Sequence, residues 1–294
     1  MTLQNRNDRL QMNQIPVKQI KEPDFFDSFN IRNIGELLFE KDLVQELHRH
    51  NFFFALFLKK GKGEHSIDFI NYSVADHSVF FMRPGQIHQL NLKQGSTGYL
   101  IQFNKEFYKP KEEPLNFVLR KVSHKNHCPL NAKKFNKLLS LLDFIFEEYT
   151  KKQHCYKDVI KANLEILFIE LVRQSENPKE ISANNNQYSQ ERFEEFLGLL
   201  QQNIVTQKQV AQYGEMMHLT IFQLNKITKD AVGKNCSQLI NEQIILEAKR
   251  NLMATTNLVN QVAFDLGFED ASYFIRLFKK HTGLSPEAFR KHFK

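Results

Sequence analysis

With 294 residues, 41% hydrophobic and 25% charged, the chain has the length and balance of a globular protein with two domains. Its net charge of +7 points to an acidic partner such as nucleic acid, and its polar start, MTLQNRNDRLQMNQ, lacks the apolar segment of a secretion signal. Three scattered cysteines (Cys128, Cys155, Cys236) suggest neither a disulfide framework nor a zinc cluster, and no apolar run approaches a membrane span, which fits a cytoplasmic protein.

The expected fold class is α+β, with an N-terminal β-barrel, following helices and an all-α C-terminal domain. Residues 1–22 are polar and are expected to form a flexible tail. From 23 to 110 the pattern turns to short apolar runs broken by Gly, Asn and Asp. NFFFALFLKKG, HSIDFINYSV, SVFFMRPGQIHQLNL and TGYLIQFN read as strands of a sandwich or small barrel.

After Pro110 the period becomes helical, and 111–175 form the next region. Phe135, Leu138, Leu139, Leu142, Ile145, Phe146 and Tyr149 make one stripe, and Ile160, Leu164, Leu167, Phe168 and Leu171 a second. Two uses are open for these stripes: a dimer interface, or padding for the sheet. Residues 176–189 lack apolar periodicity and read as a linker.

The region 190–294 is helical throughout. Ser189 can cap a helix that buries Phe193, Phe196, Leu197 and Leu200. A short helix over about 206–216 follows, then a tight turn through His218 and Leu219. Thr220-Ile221-Phe222-Gln223 has the form of a capping box, opening a helix that buries Leu224 and Ile227. Its outer face would carry Ile221, Gln223, Asn225, Lys226 and Lys229. Asn suits adenine, Lys suits guanine, and an apolar side chain suits the thymine methyl, so this face has major-groove chemistry. Taken alone, the same face is an ordinary solvated helix surface.

A long helix, about 237–254, would bury Leu239, Ile240, Ile244, Leu246, Ala248 and Leu252. VAFDLGF then supplies a second positioning helix, Gly267 the turn, and Asp270 the cap of ASYFIRLFKKHTG. Phe274, Leu277 and Phe278 form its buried stripe. Ala271, Ser272, Ile275 and Arg276 face outward, with Lys279 and Lys280 placed for phosphates. Ser285-Pro286 opens a last helix. A spacer of this length sets two readers near the repeat of B-DNA, on one side of the duplex.

Residues 206–294 resemble the DNA-binding domain of the AraC/XylS family of bacterial transcription regulators, most clearly in LTIFQLNKITK, EAKRNL and AFDLGFEDASYFIRLFKKHTGLSPEAFR. By position the resemblance implies base reading by Ile221, Phe222, Asn225 and Lys226, then by Ala271, Ser272, Ile275 and Arg276. Thr220, Gln223, Lys229, Lys279 and Lys280 complete the expected DNA-binding set. There are departures. Ile221 replaces a frequent Pro, and Gly214 replaces a usual Ala, which is expected to loosen the first positioning helix. TNLVNQV replaces the usual entry to the second motif, so Asn257 is the expected cap there.

His48-Arg49-His50, GKGEHSIDF and MRPGQIHQL resemble the cupin-like sensor barrel of that family. His48, His50 and His88 match histidines that bind metal in metal-dependent cupins, but the carboxylate expected after the HxH is missing. Hydrogen-bonded histidines at the barrel mouth, or against a ligand, are the expected role. Three histidines could still hold a divalent ion, but no metal and no cofactor are expected. With 27 Phe and no Trp, an apolar effector cavity is expected, bordered by His48, His50, Phe53 and His88.

The leading expectation is therefore a DNA-binding transcription regulator, an activator by resemblance and not an enzyme. The implied partners are promoter DNA, a small-molecule effector, RNA polymerase and a second copy of the chain. A cupin enzyme with an appended helical domain is the alternative, and an effector-independent DNA-binding protein a third.

Overall fold

The computed structural model describes residues 29–39, 41–108, 113–175 and 187–293, so the expected tail and residues 176–186 of the expected linker lie outside the described residues. The chain divides into two compact units near residue 185.

The first unit opens with β1 (Phe29–Asn33), the short α1 (Ile34–Leu37), β2 (Leu43–Arg49), β3 (Phe53–Lys60), β4 (Gly63–Ile67) and β5 (Ile70–Val74). It continues with β6 (Ser78–Met82), β7 (Ile87–Leu92), β8 (Thr97–Phe103), α2 (Glu113–His124), β9 (His127–Pro129), α3 (Ala132–Lys151) and α4 (Tyr156–Ser175). The strands form an antiparallel sheet in the order β1-β8-β3-β6-β9 and a second in the order β2-β7-β4-β5. HSIDFINYSV, read as one strand, is the β4–β5 hairpin, turning at Asp68 and Phe69 with both φ angles positive. β1, β2 and β9 are additions to the expected strand set.

The first sheet is a middle layer, buried on both faces. Along β3, Phe54, Leu56 and Leu58 point to the second sheet, in a core shared with Phe80, Met82 and Leu100 of their own sheet and Ile67, Val74, Leu90 and Leu92 of the second. Phe53, Ala55 and Phe57 point the other way, onto Phe135, Leu138, Leu142 and Ile145 of α3 and onto Ile160, Leu164, Leu167 and Phe168 of α4. Period-two alternation thus feeds two cores from one strand. The two helical stripes are consumed in padding this sheet, the second of the two uses left open by their sequence. Each fully buried side chain of this size contributes roughly 1.5–3 kcal/mol.

The second unit is all helix: α5 (Gln187–Asn203), α6 (Val210–Met216), α7 (Ile221–Val232), α8 (Cys236–Ala254), α9 (Val259–Asp265), α10 (Ala271–Thr282) and α11 (Pro286–Phe293). α5 already begins at Gln187, so Ser189 lies inside its first turn instead of capping it. The short helix covers only 210–216 of the expected 206–216. α8 buries Ile240, Ile244, Ile245, Ala248, Leu252 and Met253, so apolar side chains occur around much of its circumference. That distribution suits a helix shared between two half-cores. Arg290 fixes its end, donating from Nε to the Leu252 carbonyl at 3.0 Å and from Nη2 to the Asn257 carbonyl at 2.7 Å.

Candidate nucleic-acid interface and histidine cluster

The first motif is built from α6 and α7. At the start of α6 the Gln209 amide donates to Gln212 Oε1 at 2.9 Å, and the buried Tyr213 donates its hydroxyl to the Gln207 carbonyl at 2.8 Å. The turn closes through the Leu219 amide on the Gly214 carbonyl at 2.9 Å. A Cβ on Gly214 would stand 2.7 Å from the Leu219 carbonyl oxygen. The missing side chain of Gly214 lets the turn close, a role that its sequence position did not suggest. His218 accommodates the turn at φ 54°, a left-handed value that a residue with a Cβ adopts at a cost.

Thr220 and Gln223 cap α7 reciprocally. The Gln223 amide donates to Thr220 Oγ1 at 3.2 Å, and the Thr220 amide donates to Gln223 Oε1 at 2.9 Å. Both side chains are thereby engaged in holding the helix start. Leu224 and Ile227 are buried, while Ile221, Phe222, Lys226 and Lys229 are exposed, Phe222 to 78%. Asn225 is half-buried, and its Oδ1 accepts the Cys236 amide at 3.0 Å, tying α7 to the start of α8. A groove of about 560 Å³ runs beside this face, walled in part by Phe222, Lys226, Lys229, Asp230 and Asn235.

The second motif repeats the first, its two helices lying 49 and 50 residues after their counterparts. Both α7 and α10 run 12 residues, capped by Thr220 and Asp270 and ended by Gly233 and Gly283 in the left-handed region. Asp270 accepts the Ser272 amide at 2.8 Å. Phe274 and Phe278 are fully buried; Leu277 is half-buried, less than its place in the stripe suggested. Ser272, Arg276, Lys279 and Lys280 are exposed, and Ala271 and Ile275 are half-buried. Sequence reasoning omitted Tyr273, which is 53% exposed on the same helix. Gly267 makes the turn at φ 72° and packs so closely that a Cβ would fall 2.1 Å from the Val205 carbonyl oxygen. Asn257 is not the cap of α9: Leu258 occupies that position, and Asn257 instead donates its amide to Asp265 at 3.2 Å.

In the first unit, His48 is the last residue but one of β2, His50 follows the strand, and His88 lies on β7 opposite His48. All three are buried, and one ring nitrogen of each lies within 4.8 Å of the others. His50 Nε2 and His48 Nε2 both face His88 Nε2, each at 3.1 Å. His65 of β4, absent from the sequence-based set, joins them with Nε2 at 2.9 Å from His88 Nδ1. Its ring is held to a pKa of about 3, first by burial and then by the neighbouring histidines. Phe53 is not part of this site, because it faces the helices; the aromatic neighbour is Phe54, whose ring centre lies 5.1 Å from that of His88. The expectation missed the face by one residue. No helix among the described residues is long and apolar enough to cross a membrane.

Residues 213–292 match the family model described as "Helix-turn-helix domain". Over nearly its whole length the chain is similar to the HTH-type transcriptional activator RhaS of Mannheimia succiniciproducens, at 21% identity across 93% of this chain and 99% of that protein. RhaS of Yersinia pestis is 23% identical across 91% of this chain and 96% of its own length. Among solved structures, ToxT of Vibrio cholerae aligns with 90% of this chain and 97% of its own at 13% identity, with a TM-score of 0.43.

Proposed function

We propose that this chain, a DNA-binding transcription regulator of the AraC/XylS type, reads promoter DNA with α7 and α10 and alters that reading when its N-terminal unit takes up a small ligand. The repeated reading helix carries the proposal. Two helices of 12 residues, fifty residues apart and capped alike, each present a cation at the same position, Lys226 and Arg276. The 19 residues of α8 between them rise by roughly 28 Å, which with the flanking turns suits two successive major grooves. Lys226 and Arg276 are the base readers, with Ile221, Phe222, Ala271, Ser272 and Ile275 lining the groove. Lys229, Lys279 and Lys280 meet phosphates. Thr220, Gln223 and Asn225 hold the frame that aims them.

The chain acts by binding and carries out no catalytic step in this reading. It works in the cytoplasm as a dimer and activates by contact with RNA polymerase, as its similarity to named activators suggests. The space between the two sheets is occupied by the unit's own Phe54, Leu56, Leu58, Phe80 and Leu90, which leaves the expected apolar effector cavity unsupported and favours the effector-independent reading; a ligand, where one is taken, sits at the histidine cluster. Selection of random-sequence duplexes on the full chain tests the reading. Two enriched half-sites about one helical turn apart are expected, with Lys226→Ala relaxing one and Arg276→Ala the other. Binding without sequence enrichment overturns it.

A further inference from the structure

We propose that Lys208 is a positioning residue: it ties the first helix-turn-helix motif to the second, holds α7 and α10 at one mutual orientation, and so restricts the chain to one spacing of half-sites. This rests on the regulator reading above and adds the residue that sets its geometry. The three helices before α8 and the three after it all pack against that long helix. A shared helix alone restrains the roll of one bundle about the other only weakly, because packed helices slide by small shear movements. Lys208 supplies a second tie. Its ammonium donates to the Val205 carbonyl, in the segment between α5 and α6, and at 3.1 Å to the Gly267 carbonyl, in the turn before α10. The same nitrogen stands 5.2 Å from the centre of the buried Phe268 ring.

Charge explains why a lysine suits this junction. Two carbonyls brought together from opposite motifs present the negative ends of their dipoles, and neither can donate. An ammonium, with three protons and no lone pair, satisfies both. Partial burial holds the Lys208 pKa below the usual lysine value, a desolvation cost that the two carbonyls and the face of Phe268 offset. Gly267 is matched to the same contact: a Cβ there would fall 2.8 Å from Lys208 Nζ as well as against the Val205 carbonyl. The turn by itself does not demand glycine, since His218 makes the corresponding turn of the first motif at positive φ. Lys208 is followed by the cap of α6, and Gly267 stands three residues before the cap of α10, so a displacement at the junction passes to both motifs. Successive base pairs rise by about 3.4 Å and turn by roughly a tenth of a helical repeat. A movement of that size between α7 and α10 would admit a spacer one base pair longer or shorter, and Lys208 opposes it.

The test compares the full chain with Lys208→Met, which keeps the aliphatic stem and removes the charge; Lys208→Gln replaces it should that variant fail to melt cooperatively. Binding is measured to the operator selected by the wild-type chain and to versions with one base pair added to the spacer or removed from it. Wild type should bind either altered operator roughly tenfold or more weakly, as base contacts of one half-site are lost, whereas the variant should discriminate by about threefold or less. Spin labels at Asp230→Cys and His281→Cys, in a chain carrying Cys128→Ser, Cys155→Ser and Cys236→Ala, report the separation of α7 and α10 without DNA. With Lys208 in place one narrow distance distribution is expected, and with Lys208→Met a broad one. Spacing discrimination undiminished by Lys208→Met, or a distribution no broader, overturns the proposal. So does an equal loss on all three operators with a salt slope smaller by about 1, which would make Lys208 a phosphate contact. A wild-type chain without sequence-selective binding sinks the regulator reading instead, and the label distances then decide by themselves whether Lys208 fixes the orientation.

Discussion

Asn225 Oδ1 accepts the backbone amide of Cys236 at 3.0 Å, so the side chain best suited to adenine on α7 is also a cap for α8. That bond satisfies one of the orphan amides in the first turn of the long helix. Asn225→Ala is expected to cost about 1 kcal/mol of stability in the second unit. Cys236, buried and with its thiol pushed up to about 11 by burial, then reacts faster with a thiol reagent, because the α7–α8 junction opens more often. Calorimetry and labelling kinetics check both. A variant of wild-type stability that loses adenine preference would make Asn225 a reader after all.

Lys226 and Arg276 are the proposed base readers. Each alanine substitution is expected to weaken operator binding by about 1–3 kcal/mol and to broaden base preference at one half-site. Lys279→Ala and Lys280→Ala act differently: they weaken binding to all sequences alike and reduce the salt slope by about 1 each. Gel-shift titrations at several salt concentrations separate the two classes. Uniform losses for all four variants contradict the assignment of readers and phosphate contacts.

The two turns invite a pair of opposite substitutions. His218 stands at φ 54° where the second motif has Gly267 at φ 72°. Relieving a strained Cβ outweighs the added freedom of the unfolded chain, so His218→Gly should stabilise the unit by about 0.5–1 kcal/mol. Gly267→Ala forces a Cβ to within 2.1 Å of the Val205 carbonyl oxygen and should destabilise by about 2 kcal/mol or more. Gly214→Ala meets the Leu219 carbonyl oxygen at 2.7 Å and should cost about 1–3 kcal/mol. Chemical denaturation of the three variants gives the ordering. A destabilised His218→Gly would mean that the His218 side chain makes a compensating contact.

What was legible in the sequence was local. Thr220 with Gln223, Asp270, Gly267 and Ser285-Pro286 act within one helical turn, and every one of them sits where its chemistry places it. Asn257 failed because Asn serves a cap only if the chain enters the helix there, and α9 starts one residue later. The first unit hid more. β3 is buried on both sides, so Phe52-Phe53-Phe54 offers no polar face to mark which phenylalanine looks toward the histidines. His65 joins His88 only through pairing of β4 with β7, a relation between residues 23 apart that no local pattern encodes. β2, only partly buried and on a sheet edge, lacks the apolar run by which its neighbours were found.

The stripes on α3 and α4 give a last prediction. Leu142 and Leu164 are fully buried within the same core as Phe57, Val79 and Ile101 of the first sheet. Were the stripes a dimer interface, a charge at either position would yield a folded monomer. Because they face the sheet, Leu142→Asp or Leu164→Asp places an unpaired carboxylate in an apolar layer, at a cost of several kcal/mol that a marginally stable unit does not survive. Loss of the first unit's cooperative melting transition is expected, together with exposure of apolar surface to a hydrophobic dye. Phe144→Asp, at a position 44% exposed on α3, should leave that transition in place. A folded, monomeric Leu142→Asp protein would reverse the assignment and return these helices to the interface between copies.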